Sequence, residues 1–184
     1  MKLFFAGAEV PGWRHALVEQ EYVSLSFVGL TRRVKGVENW RIADHFPAGQ
    51  KVFLDSGAYT LNKGYAINED EPAYSDDDAL TLASRYMAFV AGNIDTLEMV
   101  SEFDALQLGQ EWIEGVREDF WDDLPADKFL PIWHAQTGHD DLERLASAYP
   151  RLGVLQMTAE ASNAYEPLLA SLPGRYGPSC TAWP

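Results

Sequence analysis

An aspartate delivered by a short apolar run is the first residue in this chain equipped for acid–base chemistry. In Lys51-Val52-Phe53-Leu54-Asp55-Ser56-Gly57-Ala58-Tyr59, three apolar residues precede Asp55, and Ser56 and Gly57 follow it. The triplet predicts a buried strand, so Asp55 stands at a strand's carboxyl end, where parallel α/β proteins hold reactive side chains beneath variable loops. Gly57 allows a sharp turn or a close approach of backbone to a ligand. A plainer assignment competes on even terms: Asp55 caps the loop and Gly57 supplies a turn.

Two further places repeat the pattern. Asp104 follows Met99, Val100 and Phe103 in a strand expected over 98–106, and His134 with Gln136 follows the apolar run 128–133. Asp104 as a helix cap and His134 as a hydrogen-bonded structural residue are the competing assignments.

The elements that must position these residues alternate along the chain. Strands are expected at 3–6, 23–28, 52–54, 98–106, 128–133 and 152–157, with the start of another at 179–184. Helices are expected over 12–22, 37–46, 76–90 and 110–121, from Asp140 onward, and from Ser162 to Leu172 before Pro173-Gly174. Trp13, Leu17 and Val18 are expected on the buried face of the first helix, and Leu80, Ala83, Tyr86, Met87 and Val90 on that of the third, which Ser75 and Asp76 cap. A polar loop, 62–75, carries Tyr65, Tyr74 and the acidic run Glu69-Asp70-Glu71, a length typical of lids and binding loops.

Strands alternating with helices imply βα units and a parallel sheet in one α/β domain spanning 1–184. A doubly wound open sheet and an incomplete (β/α)8 barrel of about six to seven units compete. No Gly-x-Gly-x-x-Gly or phosphate-loop pattern supports the nucleotide-binding open sheet, and a barrel would bring the carboxyl ends at Asp55, Asp104 and His134 around one mouth.

Composition narrows the class. With 184 residues, 47% hydrophobic and 12% aromatic, the chain can build a substantial core. The single cysteine, Cys180, allows neither an internal disulfide nor a multi-cysteine zinc site, which fits a reducing cytoplasmic setting with no metal. No run approaches the about 20 apolar residues needed to span a bilayer, and the opening 1–8 is expected to be a strand rather than a signal peptide. A formal charge of −14 opposes tight binding to phosphate backbones by the chain as a whole. The one basic cluster, Arg32, Arg33 and Lys35, is expected to be a solvated loop more readily than a phosphate contact.

Together, Ala6-Gly7-Ala8-Glu9-Val10-Pro11 after the first strand, Phe53-Leu54-Asp55-Ser56-Gly57-Ala58-Tyr59, and Pro131-Ile132-Trp133-His134 before an acidic helix resemble the phage and bacterial relatives of tRNA-guanine transglycosylase, including those that place 7-deazaguanines in DNA. The resemblance spans most of the chain, and its specific part is Asp55-Ser56-Gly57. It implies a (β/α)8 barrel that exchanges guanine in DNA or tRNA for a modified base, without an organic cofactor. Asp55 would do the acid–base work, Ser56 and Gly57 would shape the base pocket, and Asp104 and either His134 or Gln136 would recognise the base.

The sequence also departs from that family. Its nucleophilic aspartate belongs to a later strand than this chain reaches, its zinc-binding cysteines are absent, and Leu155-Gln156-Met157 stands where a Gly-rich segment is usual. The chain is therefore expected to be the front portion of a longer protein, a shortened relative completed by a partner or a second copy in a homo-oligomer, or a descendant without base exchange. Three functions stay open: a pentosyltransferase acting on a flipped base, a non-catalytic purine- or deazapurine-binding accessory protein, and an unrelated barrel hydrolase using the Asp55–Asp104 carboxylate pair.

Overall fold

The computed structural model describes residues 3–58, 61, 74–121, 124–155, 182 and 183. The chain divides into two compact units, Met1–Asp123 and Leu124–Pro184. Both are parallel α/β structures.

In the first unit β1 (Tyr22–Ser26), β2 (Lys51–Asp55) and β3 (Leu97–Ser101) lie side by side in chain order, all parallel, and Phe5 adds a parallel bridge to Val23 on the far side of β1. Alternation along β1 and β2 buries Val23, Leu25, Val52 and Leu54 on one face and leaves Tyr22, Ser24, Phe53 and Asp55 half-buried on the other. Phe4 packs edge-on against Tyr22 and Phe53 on that second face. The β2–β3 register slips between Val52 and Phe53, so Leu54 pairs with Val100.

Helix α1 (Pro11–Ala16) begins with proline in its first turn, where the missing N–H costs nothing. It is shorter than the expected 12–22 because Gln50 Nε2 donates to Leu17 O and Gln20 O, at 2.8 and 2.7 Å, and so supplies partners for carbonyls outside the helix. Trp13 and Val18 are consequently exposed rather than core. Helix α2 (Phe27–Thr31) takes the last two residues of the strand expected over 23–28, since the Ser26 side chain accepts the Gly29 N–H and caps a helix start there. The segment expected as a helix over 37–46 forms two 3-10 turns, Val37–Asn39 and Ile42–Asp44, held by Asn93.

The long helix α3 (Asp76–Asn93) opens with a capping box between Ser75 and Asp78 and has three aspartates in its first turn. It buries Ala79, Leu82, Ala83, Tyr86, Phe89 and Val90, so the buried stripe is rotated from the expected one, leaving Leu80 exposed and Met87 half-buried. Helix α4 (Gln110–Asp119) follows, with Ile113 and Arg117 buried.

In the second unit the run 128–133 is split by Pro131, which has no N–H to donate, into β4 (Phe129–Leu130) and β5 (Ile132–His134). Strand β5 pairs in parallel with β6 (Leu152–Leu155), and β6 with β7 (Ala182–Trp183). Helix α5 (His139–Ala148) sends Leu142, Leu145 and Ala146 into a core with Trp133, Leu152 and Val154, as its spacing predicts. Most of the expected loop 62–75, the positions Gln156 and Met157, the helix expected from Ser162 to Leu172, Pro173-Gly174 and Cys180 lie outside the described residues. Among the described residues no helix is long and apolar enough to cross a membrane.

Candidate functional site

Asp55 is the last residue of β2 and is in register with Ser26, the last of β1. Its carboxylate stands on the half-buried face of the sheet, and the chain then enters a fully buried turn. The Ser56 N–H donates to Ser101 Oγ at 2.8 Å, the Ser56 hydroxyl accepts the Ala58 N–H at 3.2 Å, and Ser56 O accepts the Val28 N–H at 3.3 Å. Gly57 adopts φ +76°, and a Cβ there would lie 2.8 Å from Val28 Cβ and 2.9 Å from Ser26 Oγ. Ser56 and Gly57 thus build the turn that fixes Asp55 between β1 and β3.

Asp104 is buried three residues beyond β3, outside the strand expected to reach Leu106. Between the strand and Asp104 sits Glu102, whose carboxylate receives Nε and Nη2 of Arg117, both at 2.8 Å and both residues buried. This bidentate pair anchors the segment that carries Asp104. Tyr86 adds a second brace by donating its hydroxyl to Ser101 O at 2.7 Å. Burial pushes its phenol well above the ordinary tyrosine range, so it remains a donor.

The electrostatics centre on Asp55. Burial first, and then the charge of Asp104, raise its carboxyl to about 6; the Gly57 N–H opposes the rise, and Glu9 adds a smaller push upward. Glu9 itself accepts the Ser26 N–H at 3.3 Å and packs against Gly29. Three acids at one edge of the sheet, Glu9 beyond the Phe5 bridge, Asp55 at the end of β2 and Asp104 beyond β3, therefore share one electrostatic neighbourhood. Sequence reasoning assigned Glu9 no role, although Gly7-Ala8-Glu9 follows an expected strand as Asp55 ends another. Ser101, Tyr86 and the Glu102–Arg117 pair were also missed, because their function depends on contacts between elements that spacing along the chain does not encode.

Of the expected site residues, the structure brings Asp55, Ser56, Gly57 and Asp104 together in the first unit. His134 and Gln136 belong to the second. His134 ends β5 and is buried, with its carbonyl 2.8 Å from Thr137 Oγ1, whereas Gln136 is exposed in the 3-10 turn Ala135–Thr137. Among the described residues no group of His, Cys, Asp and Glu side chains converges as a metal site would require. A carboxyl titrating near neutrality beside a second carboxylate suits proton donation and recovery combined with recognition of N–H groups. No protein-family model, curated protein or solved structure matches the chain.

Proposed function

We propose that this chain acts on a purine held between Asp55 and Asp104, as a transglycosylase-like protein that exchanges guanine in DNA or tRNA for a 7-deazaguanine-type base in the cytoplasm. The observation that carries the proposal is the Asp55 carboxyl, raised to about 6 next to Asp104 at the carboxyl edge of a parallel sheet. Protonated Asp55 gives its proton to the departing base as the glycosidic bond breaks and the sugar carbon bonds to a nucleophile supplied from outside these residues, and it regains a proton from the incoming base as that base displaces the nucleophile. Asp104 accepts hydrogen bonds from ring and exocyclic N–H groups. The resemblance assigns the sugar-holding nucleophile to a later strand, so these residues are given proton transfer and base recognition only.

Strand order supports a barrel-type architecture. Phe5, β1, β2 and β3 are neighbours in chain order with no reversal, whereas a doubly wound sheet reverses at a switch point. The half-buried face carrying Tyr22, Ser24, Phe53 and Asp55 would be the interior of such a barrel. For a nucleic-acid partner, support comes from Arg32, Arg33 and Lys35, all exposed, at the end of the helix whose Val28 packs on Gly57.

The experiment is a labelled-guanine exchange assay on DNA and on tRNA, run with the wild type and Asp55→Asn. Exchange that falls by about 10²–10⁴-fold in the variant supports the proposal. Saturable binding of guanine or 7-deazaguanine without exchange assigns the chain to the purine-binding accessory class, and sugar hydrolysis independent of nucleic acid assigns it to the hydrolases. Absence of any guanine or deazaguanine binding overturns all readings of the pocket as a purine site.

A further inference from the structure

A cavity of about 470 Å³ lies between α1 and the segment leading into β2, and shares no lining residue with the Asp55 site. Arg14 and His15 face it from the helix, Val18 from the turn after it, and Asp44, His45 and Phe46 from the segment. The lining brings one arginine, Arg14, together with two imidazoles, His15 and His45, and one carboxylate, Asp44. Arg14 is half-buried and donates Nε to Ala8 O at 3.2 Å, yet among the described residues no carboxylate lies within ion-pair distance of it. Its guanidinium lies 5.4 Å from the centre of the Trp40 ring and 5.5 Å from that of Phe46, within cation–π range of both.

The walls are fixed before anything binds. His45 stacks on Trp40 with ring centres 4.1 Å apart and planes within 7°. Asn93 holds that segment by accepting the Ile42 N–H at 2.8 Å and donating to Trp40 O at 3.2 Å. Gln50 ties the end of α1 through Leu17 O and Gln20 O.

We propose that this cavity binds a small aromatic oxyanion, a carboxylate or a phosphate monoester, with Arg14 as its anchor, His45 as a second N–H donor and Phe46 and Val18 as the apolar wall. A planar oxyanion matches the guanidinium fork, and a volume of this size holds an aromatic ring with its acid group. Burial and the Arg14 charge hold the His45 imidazole below the ordinary histidine range, with Asp44 pulling the other way. A bound anion offsets both depressing effects, so binding takes up a proton at His45 and tightens as pH falls. The groups facing His45 in this balance are Arg14 and His15 from α1 and Asp44 beside it.

The test is calorimetric titration of the full chain with benzoate, phenyl phosphate and neutral benzamide, with the His45 imidazole followed by NMR. Expected are saturable binding of at least one anion, benzamide weaker by tenfold or more, and a raised His45 pKa in the complex. Arg14→Gln is expected to weaken the anion at least tenfold, and His45→Gln to flatten the pH dependence of benzoate binding. Preference for benzoate over phenyl phosphate identifies a carboxylate ligand, and the reverse a phosphate. Equal affinity for benzamide, no anion binding up to about 10 mM, or a pH dependence that persists unchanged in His45→Gln overturns the proposal.

Discussion

The Ser101 hydroxyl accepts the backbone N–H of Ser56 at 2.8 Å, joining the residue after Asp55 to the last residue of the strand that leads to Asp104. The two candidate carboxylates are thereby positioned by one hydrogen bond between neighbouring strands. Ser101→Ala leaves a buried N–H without its partner, at a cost of about 1–3 kcal/mol. If Ser101 is a positioning residue, the pH at which Asp55 titrates also shifts, and Ser101→Thr restores it. Urea denaturation together with NMR titration of Asp55 decides; a stability loss with an unmoved titration would reduce Ser101 to a structural role.

Gly57 permits a second comparison. At φ +76° a Cβ would lie 2.8 Å from Val28 Cβ, with backbone strain added to the clash, so Gly57→Ala is expected to cost about 3 kcal/mol. Gly49 has φ +92° and nothing within 4 Å of its missing Cβ, so Gly49→Ala carries the strain alone, about 1 kcal/mol. Equal losses for the two variants in denaturation midpoints would show that the Val28 approach is not tight.

The buried Glu102–Arg117 pair is expected to behave non-additively. Glu102→Gln or Arg117→Met alone removes one half of the bidentate pair and is expected to cost about 3–5 kcal/mol, whereas the double variant removes both charges and recovers most of the loss. A double-mutant cycle measures the coupling. Additive losses would mean that each side chain is held by other partners.

Several strands were legible in the sequence because they are short apolar runs closed by a turn signal: β2 contains the triplet 52–54 and β6 begins at Leu152, whereas of the strand expected over 3–6 only the Phe5 bridge forms and β3 ends at Ser101. The α3 cap was legible for the same local reason. What misled was competition at element ends: Ser26 could continue a strand or cap a helix, and its side-chain bond to Gly29 decides for the helix. The length of α1 depended on Gln50, 33 residues from Leu17, which no local pattern announces. At the site, Asp55 and Asp104 could be read as residues following strands. That Asp104 and Glu9 both raise the Asp55 pKa, and that Arg117 steadies the chain before Asp104, required the fold.

Asp55 is expected to lower stability at neutral pH. Its carboxyl titrates at about 6 in the folded protein against 3.8 for the free side chain, so between these values the native state binds more protons than the unfolded chain. Stability therefore falls as pH rises through that window, by about 1.4 kcal/mol per unit of pKa difference before allowance for the part of the side chain that water reaches. Asp55→Asn removes the titration while keeping an acceptor for the Gly57 N–H. The variant is expected to be more stable than the wild type at pH 7 by about 2 kcal/mol, with the difference closing below about pH 4. Urea denaturation at pH 7, 5.5 and 4 reads this directly. A difference that does not change across the three would show that Asp55 ionises as an ordinary surface carboxylate, and would remove the basis for assigning it a proton-transfer role.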